Sequence, residues 1–255
     1  MTLGRLATMA AAGLLLLPGA ALGQDTSPGR ERATLSSDRP GLGDGAHVMG
    51  SGVWQTEFGA TIQAHTNDEF LLGSALLRFG LSNLELRLFV PSLFIREGDD
   101  HFLQLGDLAL GAKFPVALGG GFDWAVTSAI TLPTGSDDVS ARDPGLSGAL
   151  VAERALSDDF SVAFNAGYSF LVEDALNGTL SFLVTPSFAV PGQEGLSAYL
   201  GYAGFFHPEV GDASHIIEWG LAKAMSPDKQ WDLNAGYDPD PGAWFLGAGM
   251  SIRHR

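Results

Sequence analysis

Phe160-Ser161-Val162-Ala163-Phe164-Asn165-Ala166-Gly167-Tyr168-Ser169-Phe170 decides the fold class. Phe160, Val162, Phe164, Ala166, Tyr168 and Phe170 share one side of an extended chain, and Ser161, Ala163, Asn165, Gly167 and Ser169 share the other. Successive side chains of a strand point to opposite faces, whereas a helix would mix the two sets. The same alternation runs through Val53 to Gln63, where Trp54, Phe58, Ala60 and Ile62 oppose Gln55, Glu57, Thr61 and Gln63. It recurs at Trp231 to Tyr237. In the last segment Trp244, Leu246, Ala248, Met250 and Ile252 oppose Phe245, Gly247, Gly249, Ser251 and Arg253.

Working outward, about twelve such segments fit the chain, centred near Phe58, Ala75, Leu88, Leu110, Thr127, Leu150, Phe164, Leu183, Leu200, Trp219, Leu233 and Ala248. An even number of antiparallel strands is what a closed bacterial barrel requires. The connections fall into two classes. Tight ones lie at 80–83, 118–122, 157–159, 191–195 and 226–229; longer or more acidic ones lie at 64–69, 96–101, 135–144, 173–178, 207–212 and 238–242. Short turns at one end and longer loops at the other are the asymmetry of an outer-membrane barrel.

The polar face separates a membrane barrel from a soluble one, because a soluble sheet turns charged residues to water. Here that face is mostly Ser, Thr, Asn and Gly, with six charges of both signs: Glu57, Arg78, Glu85, Arg87, Asp107 and Lys113. They fall in four consecutive segments, opposite Leu84, Leu86, Leu88, Leu108, Leu110 and Phe114. Neighbouring strands then set opposite charges across from each other inside a lumen. Trp54, Phe70, Trp124, Phe160, Tyr168, Phe170, Phe206, Trp231, Tyr237 and Trp244 sit near strand ends, as an interfacial girdle would. Core aromatics of a soluble sandwich are the alternative.

Composition narrows the class further. The chain has 255 residues and a net charge of −15, with 45% hydrophobic and 17% charged residues; 34 are Gly and none is Cys. Disulfides and thiolate metal sites are excluded, and so acidic a chain offers no face to a nucleic-acid backbone. Beyond the N-terminus there is no apolar run of about 18 residues, which excludes a helical membrane bundle. At the N-terminus itself, Arg5, the apolar LATMAAAGLLLL from Leu6 to Leu17, Pro18, and Ala21-Leu22-Gly23 read as a signal peptide cleaved before Gln24. A retained anchor is the alternative. Three regions follow: signal peptide 1–23, an irregular extension 24–51, and an all-β transmembrane antiparallel up-and-down barrel 52–255.

Catalysis is not expected. His47, His65, His101, His207, His215 and His254 show no metal-ligand spacing, and no Gly-x-Ser-x-Gly occurs. His207 and His215 are the groups a lipid-modifying enzyme would use. Asp99-Asp100, Asp137-Asp138 and Asp238-Pro239-Asp240 lack the ligand periodicity of a calcium site and read as solvated loops. No cofactor or metal is expected.

Six motifs, in order, carry a resemblance. They are Ser37-Asp38-Arg39-Pro40; GVWQTEF from Gly52 to Phe58; Arg78-Phe79-Gly80-Leu81 leading into Glu85-Leu86-Arg87; Gly106-Asp107 followed by Gly111-Ala112-Lys113; Leu132-Pro133-Thr134-Gly135; and Trp231-Asp232-Leu233-Asn234-Ala235-Gly236. Over nearly the whole mature chain the sequence resembles the outer-membrane transporter family named for the meta-cleavage pathway of phenol degradation. The resemblance implies a barrel in the outer membrane of a Gram-negative bacterium, a transporter of small, often aromatic, organic compounds, in contact with lipid, lipopolysaccharide and the barrel-assembly machinery. The chain departs from membrane barrels generally in ending Ile252-Arg253-His254-Arg255 rather than on an aromatic residue.

Three functions follow as expectations: a channel lined by the six charges, a lipid-modifying enzyme, or a structural or adhesive barrel without transport. A bore of about twelve strands exceeds what side chains alone fill. The extension therefore has two readings: a plug, with Ser37 to Gly41, including Asp38, Arg39 and Pro40, folded back into the periplasmic mouth and Arg39 meeting inward carboxylates such as Glu57 or Glu85, or a disordered periplasmic tail.

Overall fold

A computed structural model describes residues 35–64, 69–96, 103–240 and 242–254. Residues 1–23, expected to be a signal peptide, and residues 24–34, 65–68, 97–102, 241 and 255 lie outside the described residues. Twelve strands run in chain order: β1 (Trp54–Ala64), β2 (Glu69–Gly80), β3 in two segments (Glu85–Val90 and Leu93–Arg96), and β4 in two segments (Leu103–Leu105 and Leu108–Val116). Then come β5 (Asp123–Leu132), β6 (Gly145–Ser157), β7 (Phe160–Leu171), β8 (Thr179–Ala189), β9 (Leu196–His207), β10 (Asp212–Ser226), β11 (Lys229–Asp238) and β12 (Ala243–His254). Each strand pairs antiparallel with its sequence neighbours, and β1 pairs with both β2 and β12, so the sheet closes on itself. The twelve strands of the sequence reading are these twelve.

Alternation places polar groups inside and apolar ones outside. In β1, Gln55 and Glu57 are 0% and 1% exposed, while Trp54, Phe58 and Ile62 are 43%, 40% and 44% exposed. The outward positions elsewhere are of the same kind: Leu86, Leu110, Leu150, Phe164, Phe182, Leu200, Trp219, Leu233 and Leu246 are all exposed. Such a surface is stable only against hydrocarbon, and closure leaves no edge with unpaired backbone groups there.

One region of the wall is irregular. β3 breaks at Pro91-Ser92 and β4 at Gly106-Asp107, and β2 carries a bulge at Gly73, whose φ of +76° only glycine adopts readily. Proline donates nothing to a ladder. Gly106 N–H bridges the gap by donating to Ser92 O at 2.8 Å. Across each break the alternation resets: Arg87 is buried before it and Phe94 after it, and Gln104 before the second and Ala109 after it. The even-spaced reading of β3 and β4 did not contain this change of parity.

Candidate functional site

Residues 35–50 form no helix or strand, yet their backbone is held by strands from all round the barrel. Leu35 N–H donates to Pro227 O in the β10–β11 turn, so the segment enters from the end that carries the tight turns. A segment bonded to β1, β6, β7, β10 and β11 at once lies inside the cylinder. Irregular backbone at membrane depth is tolerated only where protein satisfies its polar groups.

Carboxylates of the wall do this. Asp38 N–H donates to Glu57 Oε2 at 3.1 Å, Leu42 N–H to both oxygens of Glu218 at 3.1 Å, Ala46 N–H to Glu153 Oε2 at 3.0 Å, and Met49 N–H to Glu85 Oε2 at 3.0 Å. Asn165 makes a reciprocal pair with Asp44, accepting its N–H at 2.9 Å and donating to its carbonyl at 3.0 Å. Asn234 donates to Pro40 O at 3.0 Å.

Two ionic groups fix the segment's side chains. Asp38 is the hub of the first: Lys113 Nζ lies 2.7 Å, Arg87 Nη2 3.0 Å and Arg78 Nη1 3.5 Å from its Oδ2. Burial alone would push the Asp38 carboxyl up, but Arg78, Lys113 and Arg87 outweigh it and hold it well below the usual carboxylate range. Arg78 also bonds Glu57 and Glu85, each at 2.8 Å. Arg87 donates to Asp44 at 2.8 Å. Cross-strand register sets Arg78 against Arg87, a like-charged pair, and the surrounding carboxylates compensate it.

In the second group, on the adjoining β11–β12–β1 wall, Arg39 Nη2 meets Asp232 Oδ1 at 3.2 Å. The guanidinium lies over two glycines: a Cβ on Gly59 would stand 2.4 Å from its Nη2, and one on Gly249 2.4 Å from its Nε. The expected partner of this side chain, Glu57 or Glu85, is therefore replaced by Asp232. Glu57 instead accepts the Arg39 backbone N–H at 3.1 Å. The reason is direction: Arg39 points to the β11–β12–β1 wall while Asp38, next to it, points to β2–β4.

Asp107 is not in either group. Sitting at the β4 break, it accepts Gly135 N–H at 2.8 Å and Ala141 N–H at 3.2 Å, and so anchors the β5–β6 loop. Gln104 holds the same loop through Asp138 at 3.0 Å, and Val139 is buried. Between this loop, residues 38–44 and the irregular wall lies a cavity of about 350 Å³. His215 is elsewhere, on the outer surface, 2.8 Å from Tyr202 Oη and packed against Phe206. Among the described residues, no three His, Asp or Glu side chains are grouped to hold a metal.

The family described as "Putative MetA-pathway of phenol degradation" matches residues 37–254, from the lumenal segment to the last strand. The chain belongs to that family. The family match begins at Ser37, so it includes the Asp38 and Arg39 contacts as well as the wall. Among solved structures, an outer membrane channel from Pseudomonas putida F1 is similar at a TM-score of 0.64 with 13% identity, over 82% of this chain and 98% of that one. The NanC porin gives 0.57 with 6% identity over 77% and 98%, and the KdgM porin 0.55 with 10% identity over 78% and 98%. None of the curated proteins compared with the sequence matches it. The architecture is that of outer-membrane channels and porins, and with its apolar exterior this family member is a transmembrane barrel of the Gram-negative outer membrane.

Proposed function

We propose that the protein is a channel for small organic molecules whose lumen is stoppered by residues 35–50, with the tight-turn end in the periplasm. The observation that carries this reading is how the segment is held: ion pairs and hydrogen bonds to inward side chains, with the cavity left beside it. Every group the segment engages is one that water can solvate once the segment leaves, so the lumen can exist with the segment displaced as well as seated. Glu57, Arg78, Glu85, Arg87 and Lys113 act as its seat, Asp38, Arg39 and Pro40 as the part seated, and Asp107 as the anchor of the external loop. Lipid and lipopolysaccharide surround the barrel, and the assembly machinery inserts it.

The test is deletion of residues 24–45 with planar-bilayer recording. Larger or steadier single-channel currents support the stopper, and currents equal to those of the full mature chain overturn it. A barrel that conducts in neither form is structural or adhesive. Flux of uncharged aromatic solutes into vesicles then reports the permeant class.

A further inference from the structure

The chain has three lysines, and two of them stand on the outside of the barrel. Lys113 is sealed in the lumen. Lys223 on β10 shares its parity with the exposed Trp219 and Leu221, and Lys229 on β11 shares its parity with the exposed Leu233. The carboxylates of these strands that lie nearest, Glu218 and Asp232, have the opposite parity and are each 1% exposed. Cross-strand pairing sets Lys223 against Trp231 and Trp231 against Met250, while Lys229, two residues before Trp231, pairs with Ile252. Diagonal neighbours of this kind are about 7–8 Å apart, so two lysine side chains can converge on one phosphate.

Neither lysine has a carboxylate partner among the described residues. Lys223 Nζ donates to the backbone carbonyl of Glu194 in the β8–β9 turn, and Asp228, next to Lys229 in sequence, is taken by Arg253 at 2.8 Å. Both lysines flank the β10–β11 turn, at the tight-turn end. A cation facing hydrocarbon at mid-depth is costly, whereas one at a strand end lies among headgroups. At the loop end of β10, β11 and β12 the outward residues are Ala213, His215, Tyr237 and Trp244, none of them lysine or arginine. Around the two lysines the surface is apolar: Met225 is 62% exposed, and Trp231, Met250 and Ile252 lie beside it.

We propose that Lys223 and Lys229 form a site for an anionic glycerophospholipid, with its phosphate between the two ammonium groups and its acyl chains along Trp231, Leu233 and Met250. Paired cations beside apolar surface suit a headgroup of net negative charge. A zwitterionic headgroup brings an ammonium of its own, which the lysines repel. The site is outside the lumen, so it is independent of whether the barrel conducts.

Native mass spectrometry of the full mature protein in detergent, with equal amounts of dioleoylphosphatidylglycerol and dioleoylphosphatidylcholine, tests it. The two lipids share their acyl chains and differ in headgroup charge. The first adduct is expected to be phosphatidylglycerol, roughly fivefold over phosphatidylcholine at low salt, the effect of one lysine on an anionic lipid. Lys223→Gln combined with Lys229→Gln should bring the two lipids to parity in a barrel whose gel migration is unchanged. Arg142→Gln, which removes a charge at the loop end, should leave the preference as it was. The rival cation at the tight-turn end is Arg154, which donates to Gly120 O at 3.3 Å and lies 5.5 Å from the Phe122 ring. A preference that survives the double substitution, or that disappears in Arg154→Gln alone, overturns the proposal. So does displacement of the lipid by glycerol 3-phosphate in large excess, which would show a site for bare phosphate.

Discussion

At the scale of the residue, the lumen depends on absent side chains as much as on charged ones. Gly59 and Gly249 leave the shelf on which the Arg39 guanidinium lies, and a branched side chain there occupies its place. Gly249→Val is expected to expel Arg39, separate it from Asp232 and loosen the segment, seen as larger current fluctuations in a barrel whose gel migration is unchanged. Arg87→Ala acts on the other group. It leaves Asp44 without its guanidinium and Asp38 with two cations instead of three, so the reversal potential in a salt gradient should move toward cation selectivity. Asp38 has a definite pH signature. Because its carboxyl is held below its ordinary value, its contribution to docking is complete above the ordinary carboxylate range near 3.9 and is lost as pH falls through the lowered value. Asp38→Asn should imitate that acid state at pH 7. Removing one partner from a buried charge cluster costs about 3–5 kcal/mol, so residues 35–50 should become open to limited proteolysis in this variant and stay protected in the parent from pH 7 to 5.

At the scale of the element, period-2 alternation states which residues share a face, and this made all twelve strands legible from letters such as those of Phe160 to Phe170. It carries no information about an irregular segment. Nothing in Ser37-Asp38-Arg39-Pro40 tells that Asp38 turns to Lys113 and Arg39 to Asp232, because a coil has no fixed side-chain period. Glu153, Asn165 and Glu218 were missed as partners for a related reason: each lies on a strand away from the charges of β1 to β4, and its value lies in a backbone N–H contributed from more than a hundred residues away. The resets at Pro91-Ser92 and Gly106-Asp107 were not read from the sequence: a proline and a glycine show where a ladder can break, but the change of parity needs the neighbouring strands. Where alternation holds, its outward face is testable. Leu86→Arg places a charge on the lipid side of β3 and should cost about 2–4 kcal/mol near the midplane, measured by urea titration of the folded barrel in lipid vesicles.

At the scale of the whole molecule, closure makes the sheet one cooperative unit with no free edge. The purified mature protein should need detergent and migrate faster on gels before boiling than after. A monodisperse monomer free of detergent would contradict the placement in a membrane. The seam has a temporal meaning. β1 meets β12 along eleven residue pairs, from Trp54 with His254 to Ala64 with Trp244, so the two ends of the chain must find each other before a cylinder exists. Joining residues so far apart in sequence is the step for which loop-closure entropy is greatest. Arg39 reaches Asp232 on β11, and its resting place is walled by Gly249 on β12, the other strand of that seam. The place where Arg39 rests is therefore complete only once β12 has joined β1. On the proposed stopper reading, the seam that completes the conduit also completes the place where its stopper rests.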